Sequence, residues 1–266
     1  FSYQNLFVRV DIAIKNGNSI KLVEVKSKSF DSLELSPFMT KKGEIYSDWR
    51  PYIYDIAFQK YVVMKAFPEM NITCYLMLAD KSTTCPTDGL NQKFRIIKIA
   101  DRVIIKLTSP LTEGELKQPI LNKVSVDAEI RYVFGNEKFM NDYYFSDYIH
   151  HLANHYQNGE KIKPIPGRVC KTCEFKSDEI TNLKSGFEEC WQQCFSFDKK
   201  SCESPMILDI WNFSSLDKLI NSGICKVSQI QKSDINIKES KKGGLSASER
   251  QWLQIEKMQR NDMEEY

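Results

Sequence analysis

Apolar and polar side chains alternate along residues 8–27 (VRVDIAIKNGNSIKLVEVKS), and an Asn-Gly-Asn sequence interrupts the alternation near its centre. Alternation on both sides of turn residues predicts a β-hairpin. Either the first two or the last two residues of this Asn16–Asn18 segment can form a two-residue loop. The two loops pair the strands differently, but both leave the same side chains on each face because both are even in length.

One face of this hairpin is apolar and the other carries charged residues. The apolar face, which we expect to be buried, consists of Val8, Val10, Ile12, Ile14, Val23 and Val25. The opposite face carries Asp11, Glu24 and Lys26, with Lys26 about 7 Å beyond Glu24 along the strand. Two carboxylates on neighbouring strands can hold a divalent metal ion, and a lysine beside them can stabilise charge that develops on a phosphate. A solvated face with one modest ion pair is the competing interpretation.

The following segments predict a helix between strands. Residues 52–67 are apolar nearly all round, which predicts a buried helix with Pro51 in or next to its first turn. Asp55 and Gln59 interrupt this pattern at i and i+4, on one helical face. Asp55 needs a partner there, and Lys26 and Arg50 are the candidates. Residues 72–80 predict a buried strand, and two more strand-like runs, FRIIKI and RVIIKL, follow it. The order β-β-α-β indicates an α/β fold in which a mixed β-sheet is flanked by helices.

The rest of the chain predicts three further parts. Residues 127–156 have a helical pattern rich in Tyr and Phe, and they complete a core domain of residues 1–160. A break at KIKPIPGR opens a cysteine-rich segment, residues 161–204, which holds five of the eight cysteines. Residues 205–266 predict a C-terminal α/β extension, in which a strand in MILDIWNF precedes a helix. Ser246 and Glu249 fit the capping box of a last helix.

Composition narrows the function less than these patterns do. The 266 residues carry a net charge of +2, so attraction to a polyanion must come from a local cluster of basic residues. No apolar run approaches eighteen residues and no signal peptide is visible, so we expect a cytoplasmic protein without a membrane partner. Because the chain opens at Phe1, directly before its most informative motif, we expect a fragment that lacks an upstream segment.

Four cysteines stand at spacings typical of metal ligands. Cys170 and Cys173 form C-x2-C, and Cys190 and Cys194 form C-x3-C after sixteen intervening residues. Four thiolates at this spacing fit a tetrahedral zinc site, and the same residues can hold a 4Fe–4S cluster. Spacing alone favours zinc over the cluster, and four ordinary thiols are the third interpretation.

The hairpin motifs RVDIAI and LVEVKS, with the helix DIAFQKYVV, resemble the PD-(D/E)xK nuclease superfamily and more closely its RecB-like branch. VCKTCEF and SGFEECW are similar to the cysteine-rich segment of iron–sulfur RecB-like nucleases, such as CRISPR-associated and AddB-type exonucleases. The resemblance covers about residues 3–195. The order of motifs looks closest to an uncharacterised bacterial family that joins such a module to an RNase H-like domain, which this chain would not reach.

The resemblance implies a restriction-endonuclease-like core that hydrolyses phosphodiester bonds of DNA, with RNA left open. In that role Asp11 and Glu24 would bind Mg²⁺ or Mn²⁺, Lys26 would serve the attacking water, and Gln59 would assist. RecB-like enzymes also carry an upstream helix with a metal-binding His or Glu and a first cysteine, and nothing precedes Phe1 here. A catalytically inactive module that binds nucleic acid or a protein is therefore the alternative.

The resemblance also shifts the expectation for the cysteines from zinc to a 4Fe–4S cluster. In the iron–sulfur family one upstream cysteine and three downstream cysteines bind the cluster. Cys170, Cys173 and Cys190 would be the downstream three, and Cys194 would be spare or a substitute. Zinc bound by all four cysteines remains the alternative for the chain as it stands.

Overall fold

The computed structural model describes residues 1–100, 102–117, 119–177, 183–240 and 243–261. The chain forms two compact units, residues 1–161 and 162–266. The boundary thus lies next to the one predicted at residue 160, and the predicted cysteine-rich segment shares its unit with the C-terminal extension. Among the described residues, no helix combines the length and the apolar character needed to cross a bilayer.

The first unit contains both strands and helices. Its strands are β1 (Ser2–Tyr3), β2 (Leu6–Phe7), β3 (Ile12–Asn16), β4 (Ser19–Phe30), β5 (Asn71–Asp80), β6 (Phe94–Ile99), β7 (Arg102–Leu107) and β8 (Leu121–Ser125). Its helices are α1 (Arg50–Ala66), α2 (Glu113–Leu116), α3 (Asp127–Gly135) and α4 (Phe145–Asn158). The buried helix predicted after Pro51 is therefore confirmed as α1.

A mixed sheet in the order β3-β4-β5-β8 forms the centre of this unit. Strands β4 and β5 are parallel, and the outer pairs β3–β4 and β5–β8 are antiparallel. The predicted α/β fold with a mixed sheet and helices is confirmed. The runs FRIIKI and RVIIKL are strands too, but they pair with each other as a separate two-stranded sheet, β6–β7.

The first hairpin adopts one of the two predicted registers. Asn16 pairs with Ser19, so the loop consists of the next two residues, and Gly17 takes a positive φ of 54° that suits glycine. Pairing of β3 with β4 starts at Ile12, opposite Val23. Asp11 therefore lies one residue outside the paired ladder, although it belongs to the register that places it opposite Glu24.

The prediction of which hairpin face is buried was wrong in part. Val8 and Val23 are buried, but Ile12, Ile14 and Val25 are 38%, 45% and 40% exposed. The face of β4 that carries Glu24 and Lys26 is the one that packs on α1. Ile20 and Leu22 on that face join Ile53, Ile56 and Ala57 of the helix in one hydrophobic core. The alternation along the chain defines two faces, but it cannot identify the face that a distant helix covers.

The regular pairing of β4 with β5 is interrupted next to the charged residues. The two strands pair up to Val25 opposite Met77, and pairing resumes at Ser29 opposite Ala79. Strand β4 thus accommodates residues 26–28 where β5 has one residue. Such a bulge re-aims side chains and is common beside functional sites. Lys26 lies at its first position.

The second unit has a separate core and is built from short helices. Its helices are α5 (Gly186–Phe195), α6 (Lys199–Glu203), α7 (Leu216–Asn221) and α8 (Ala247–Gln259). The capping box predicted for the last helix is confirmed, since Ser246 Oγ accepts from Glu249 N and Glu249 Oε2 accepts from Ser246 N. The strand predicted in MILDIWNF is instead a 3-10 turn, Ile207–Asp209, next to a single bridge between Met206 and Lys226.

Candidate functional site

Strand β4 and helix α1 bring four polar side chains together in the first unit. Glu24 and Lys26 alternate along β4 on the side that faces the helix. Asp55 and Gln59 are four residues apart in α1, so they lie on one helical face. We call Glu24, Lys26, Asp55 and Gln59 the carboxylate–lysine cluster. Three of its members were predicted site residues, and the structure brings these three together.

Lys26 bridges the two carboxylates of this cluster. Its Nζ lies 2.6 Å from Glu24 Oε1 and 2.7 Å from Asp55 Oδ2. Gln59 Nε2 donates to the same two carboxylates, at 2.8 Å to Glu24 Oε2 and 3.1 Å to Asp55 Oδ1. Each carboxylate therefore accepts one hydrogen bond from the ammonium and one from the amide. This cross-linked arrangement fixes all four side chains.

The cluster is buried on one side and open to solvent on the other. The side chain of Glu24 is 9% exposed, whereas those of Lys26 and Asp55 are 22% and 40% exposed. Burial lowers the pKa of Lys26, but hydrogen bonds and charge attraction from Asp55 and Glu24 outweigh it, so the pKa lies above its ordinary value. Lys26 is therefore a permanent cation at neutral pH, within reach of a molecule approaching from the Asp55 side.

One polar atom of the cluster has no partner among the described residues. Gln59 is 4% exposed, and its Oε1 is buried without a hydrogen bond. An unsatisfied buried carbonyl oxygen costs about 1–3 kcal/mol, so such atoms commonly mark a place for water or a ligand. The orphaned oxygen lies beside two carboxylates, which makes the cluster rich in oxygen ligands.

Asp11 lies beside the cluster and does not take part in its hydrogen bonds among the described residues. Its Oδ2 accepts from the backbone N–H of Val25 at 2.9 Å, where the β3–β4 ladder has ended. The carboxylate thus lies against the backbone of the residue between Glu24 and Lys26. In the described part of the chain, no three His, Cys, Asp or Glu side chains are arranged closely enough to hold one metal ion. The Asp11–Glu24 metal pair stays a prediction.

Asp55 is the member of the cluster that was not predicted as a site residue. Its signal in the sequence was the i, i+4 spacing to Gln59 within an otherwise apolar helix. A carboxylate in such a helix needs a partner, and Lys26 and Arg50 were both candidates by sequence. The structure pairs Asp55 with Lys26, while Arg50 Nε lies 3.4 Å from Glu137.

The four predicted cysteine ligands form a loose group in the second unit, which we call the thiol group. Cys170 belongs to a 3-10 turn, Arg168–Thr172, and Cys173 follows that turn. Cys190 and Cys194 are one turn apart on α5. Burial is the main reason that the pKa of Cys190 is raised. The charges of the other three thiols, Cys170, Cys173 and Cys194, raise it further. The other three sulfurs are thus close enough to Cys190 to affect its ionisation.

Two members of the thiol group also contact the backbone. Cys170 Sγ accepts from Gly167 N at 3.5 Å, and Cys194 Sγ donates to Pro164 O at 3.2 Å. Burial is the main reason that the pKa of Cys170 is raised. The hydrogen bond from Gly167 N has the opposite effect, because it favours the thiolate that a metal needs. In the described part of the chain, the four thiols are not arranged closely enough to form a metal site.

Comparison with known proteins adds nothing to this geometry. No family model, curated protein or solved structure matches the chain.

Proposed function

We propose that the first unit is a metal-dependent nuclease of the PD-(D/E)xK type, acting on DNA. The observation that supports this most strongly is that Glu24 and Lys26 of β4 meet Gln59 of α1 in one partly open cluster. Together with Asp11, these three residues carry the resemblance to RecB-like nucleases. A purely structural ion pair between Lys26 and Glu24 would not need a buried amide with an orphaned oxygen.

The residues present fit Mg²⁺ or Mn²⁺ by the chemistry of their donors. These ions prefer oxygen ligands, and Glu24, Asp11 and the free Gln59 Oε1 are oxygen donors at or beside the cluster. A bound divalent ion polarises a phosphate and lowers the pKa of a water ligand. Asp55, with its exposed side chain, is the additional carboxylate on the open side.

The residues of the chain have separate roles in this proposal. Lys26, charged at neutral pH, stabilises the negative charge that develops on the phosphate and orients the attacking water, but does not act as a general base. Gln59 holds Glu24 through Nε2 and presents Oε1 to a water. Asp55 positions Lys26 by the second hydrogen bond to its ammonium.

Cleavage of DNA in Mg²⁺ or Mn²⁺ by the wild type and Glu24→Gln tests the proposal. Glu24→Gln keeps the side-chain shape and removes its charge, so we expect activity to fall by about 100-fold or more. Glu34→Gln, which changes an exposed carboxylate of the loop after β4, is the matched control and should cleave normally.

Two results would contradict the nuclease. Undiminished cleavage by Glu24→Gln would mean that the chemistry lies elsewhere. A wild-type protein that binds nucleic acid but cuts neither DNA nor RNA with either metal would favour the inactive binding module. That alternative has one observation on its side, since Lys26 already forms ion pairs with both Glu24 and Asp55.

We also propose that the thiol group binds a metal centre, either a 4Fe–4S cluster completed by an upstream cysteine or zinc held by the four thiolates. All eight cysteines are free thiols, which fits a reducing compartment such as the cytoplasm. We also propose, from the order of the motifs alone, that an RNase H-like domain is joined to this module.

A further inference from the structure

The hairpin of β6 and β7 is exposed to solvent along nearly its whole length. Each strand has six residues, so the hairpin is about 20 Å long. Within the described part of the chain, its two strands pair only with each other, in a sheet separate from the mixed sheet. All but one of its strand residues are exposed, the exception being the half-buried Ile97. A strand pair that contributes so little to a core requires another explanation for its regularity.

Positive charge is concentrated on this hairpin. Residues 94–107 contain four cationic residues and one acidic residue, in a chain whose total charge is only +2. The cations are Arg95, Lys98, Arg102 and Lys106. Within the described residues, none of the four has an acidic side chain at ion-pair distance. Lys93, just before β6, is different, because it pairs with Glu115.

The register of the hairpin places three of these cations on one face. Arg95 lies directly opposite Lys106, Ile97 lies opposite Ile104, and Ile99 lies opposite Arg102. Two like charges in a directly opposed pair destabilise a β-ribbon. A negatively charged partner that contacts both Arg95 and Lys106 would offset this repulsion.

The other face of the hairpin is apolar apart from Lys98. Its pairs are Phe94 with Leu107, Ile96 with Ile105 and Lys98 with Val103. Ile96 and Ile105 are 72% and 65% exposed. These aliphatic side chains point to the opposite side of the ribbon from Arg95, Lys106 and Arg102, so the three cations form a face of their own.

We propose that the β6–β7 hairpin is an arm that binds the phosphate backbone of duplex DNA through Arg95, Lys106 and Arg102. A two-stranded ribbon has the dimensions that the major groove admits. The positive charge of the face complements a polyanion, and its cations have no acidic partner among the described residues. This inference rests on the proposed nuclease function. In that function the hairpin would hold the DNA substrate at a place outside the carboxylate–lysine cluster.

The test measures binding of a fluorescent DNA duplex in the presence of EDTA, where a metal-dependent nuclease cannot cleave. Arg95→Glu is the informative variant because it creates an opposite-charge pair with Lys106, which keeps the hairpin folded. We expect the affinity to fall about tenfold or more near physiological salt, with a shallower dependence on salt concentration. Lys41→Glu, with the same charge change at an exposed lysine outside the hairpin, should bind almost as the wild type does.

Hydrolysis of a small phosphodiester, too short to reach the hairpin, separates this inference from the nuclease proposal. Arg95→Glu should hydrolyse it as the wild type does. A wild type without any hydrolysis but with DNA binding that Arg95→Glu weakens would defeat the nuclease and leave the arm standing. Equal DNA binding by Arg95→Glu and wild type would overturn the arm. If Arg95→Glu instead changed the oligomeric state with DNA binding intact, the hairpin would be a protein-docking element and the inference would be wrong.

Discussion

The carboxylate–lysine cluster and the thiol group satisfy their polar atoms in opposite ways. In the first unit, opposite charges meet on a long strand and a seventeen-residue helix, and nearly every polar atom of the cluster has a partner. In the second unit, four like groups lie at a short turn and on a ten-residue helix, and the charges of the other three thiols oppose the ionisation of Cys190. The carboxylate–lysine cluster thus forms without a ligand, whereas a group such as the thiol group gains most of its order from a bound metal. Measurements of stability, metal binding and thiol reactivity can test this difference.

The largest effect should come from the aromatic core that supports the thiol group. Trp191, between Cys190 and Cys194 on α5, is fully buried and its ring lies 5.3 to 5.8 Å from those of Phe187, Phe195 and Phe197. Trp191→Ala should cost about 4 kcal/mol of unfolding free energy in the second unit, because it leaves a large cavity.

Chemical denaturation followed by near-ultraviolet circular dichroism measures this loss. Trp211→Ala is the matched control, since Trp211 is 55% exposed and should cost less than about 1 kcal/mol. Equal losses at the two positions would show that the second unit does not depend on the helix that carries two of the thiols.

Metal binding should stabilise the second unit and leave the first unit unchanged. A metal at about 100 times its dissociation constant adds about 2.7 kcal/mol to a protein that binds it only when folded. We expect this gain with zinc or with an anaerobically assembled iron–sulfur cluster, and its loss in Cys190→Ser. Cys85→Ser, at an exposed cysteine of the first unit, is the control. Absence of both metals from the purified protein, together with no gain in stability on adding them, would contradict the metal centre.

Removal of the Lys26 ammonium should destabilise the first unit by less than Trp191→Ala destabilises the second. Lys26→Met leaves Glu24 and Asp55 as facing carboxylates, and we expect a loss of about 2 kcal/mol, reduced from the cost of a fully buried pair because the cluster is partly open. Lys21→Met, at an exposed position of the same strand, should have little effect. Mn²⁺ should raise the melting temperature of Lys26→Met more than that of the wild type, because the divalent ion can bind between the two carboxylates that have lost the ammonium.

The same variant gives the pH dependence of the cluster. The pKa of Lys26 is raised in the folded protein, so its stabilising contribution is complete below its ordinary pKa of about 10.5 and declines as the pH rises above that value. The stability difference between wild type and Lys26→Met should therefore stay constant from pH 7 to about pH 10 and shrink at higher pH. A difference that disappeared between pH 7 and pH 9 would mean that another group is responsible.

The smallest expected effect concerns thiol reactivity in metal-free protein. Because the pKa values of Cys170 and Cys190 are raised, fewer thiolates exist at a given pH, and alkylation at pH 8 should be several-fold slower than at the exposed Cys85. Mass spectrometry of peptides after timed alkylation measures the rates. Unfolding in urea should remove the difference, and a persistent difference would point to local sequence and not to the folded environment.

Local patterns in the sequence determined most of the secondary structure of the first unit. Alternation around Asn16–Asn18 predicted the hairpin, and the apolar run after Pro51 predicted α1. Capping chemistry predicted the start of α8. These features depend on neighbouring residues and on periods of two and 3.6, which a single chain displays directly. The order β-β-α-β then limited the sheet to a mixed one.

Tertiary packing decided the features that join distant residues. Alternation cannot say which hairpin face meets a helix, so the burial expected for Ile12, Ile14 and Val25 was wrong. It also cannot choose between Lys26 and Arg50 as the partner of Asp55, because both are cations that can pair with a carboxylate. Strand pairing is likewise non-local, and the sequence of β6 and β7 does not reveal that they leave the main sheet. These choices follow from the total area buried and the polar atoms satisfied in three dimensions, which no local period encodes.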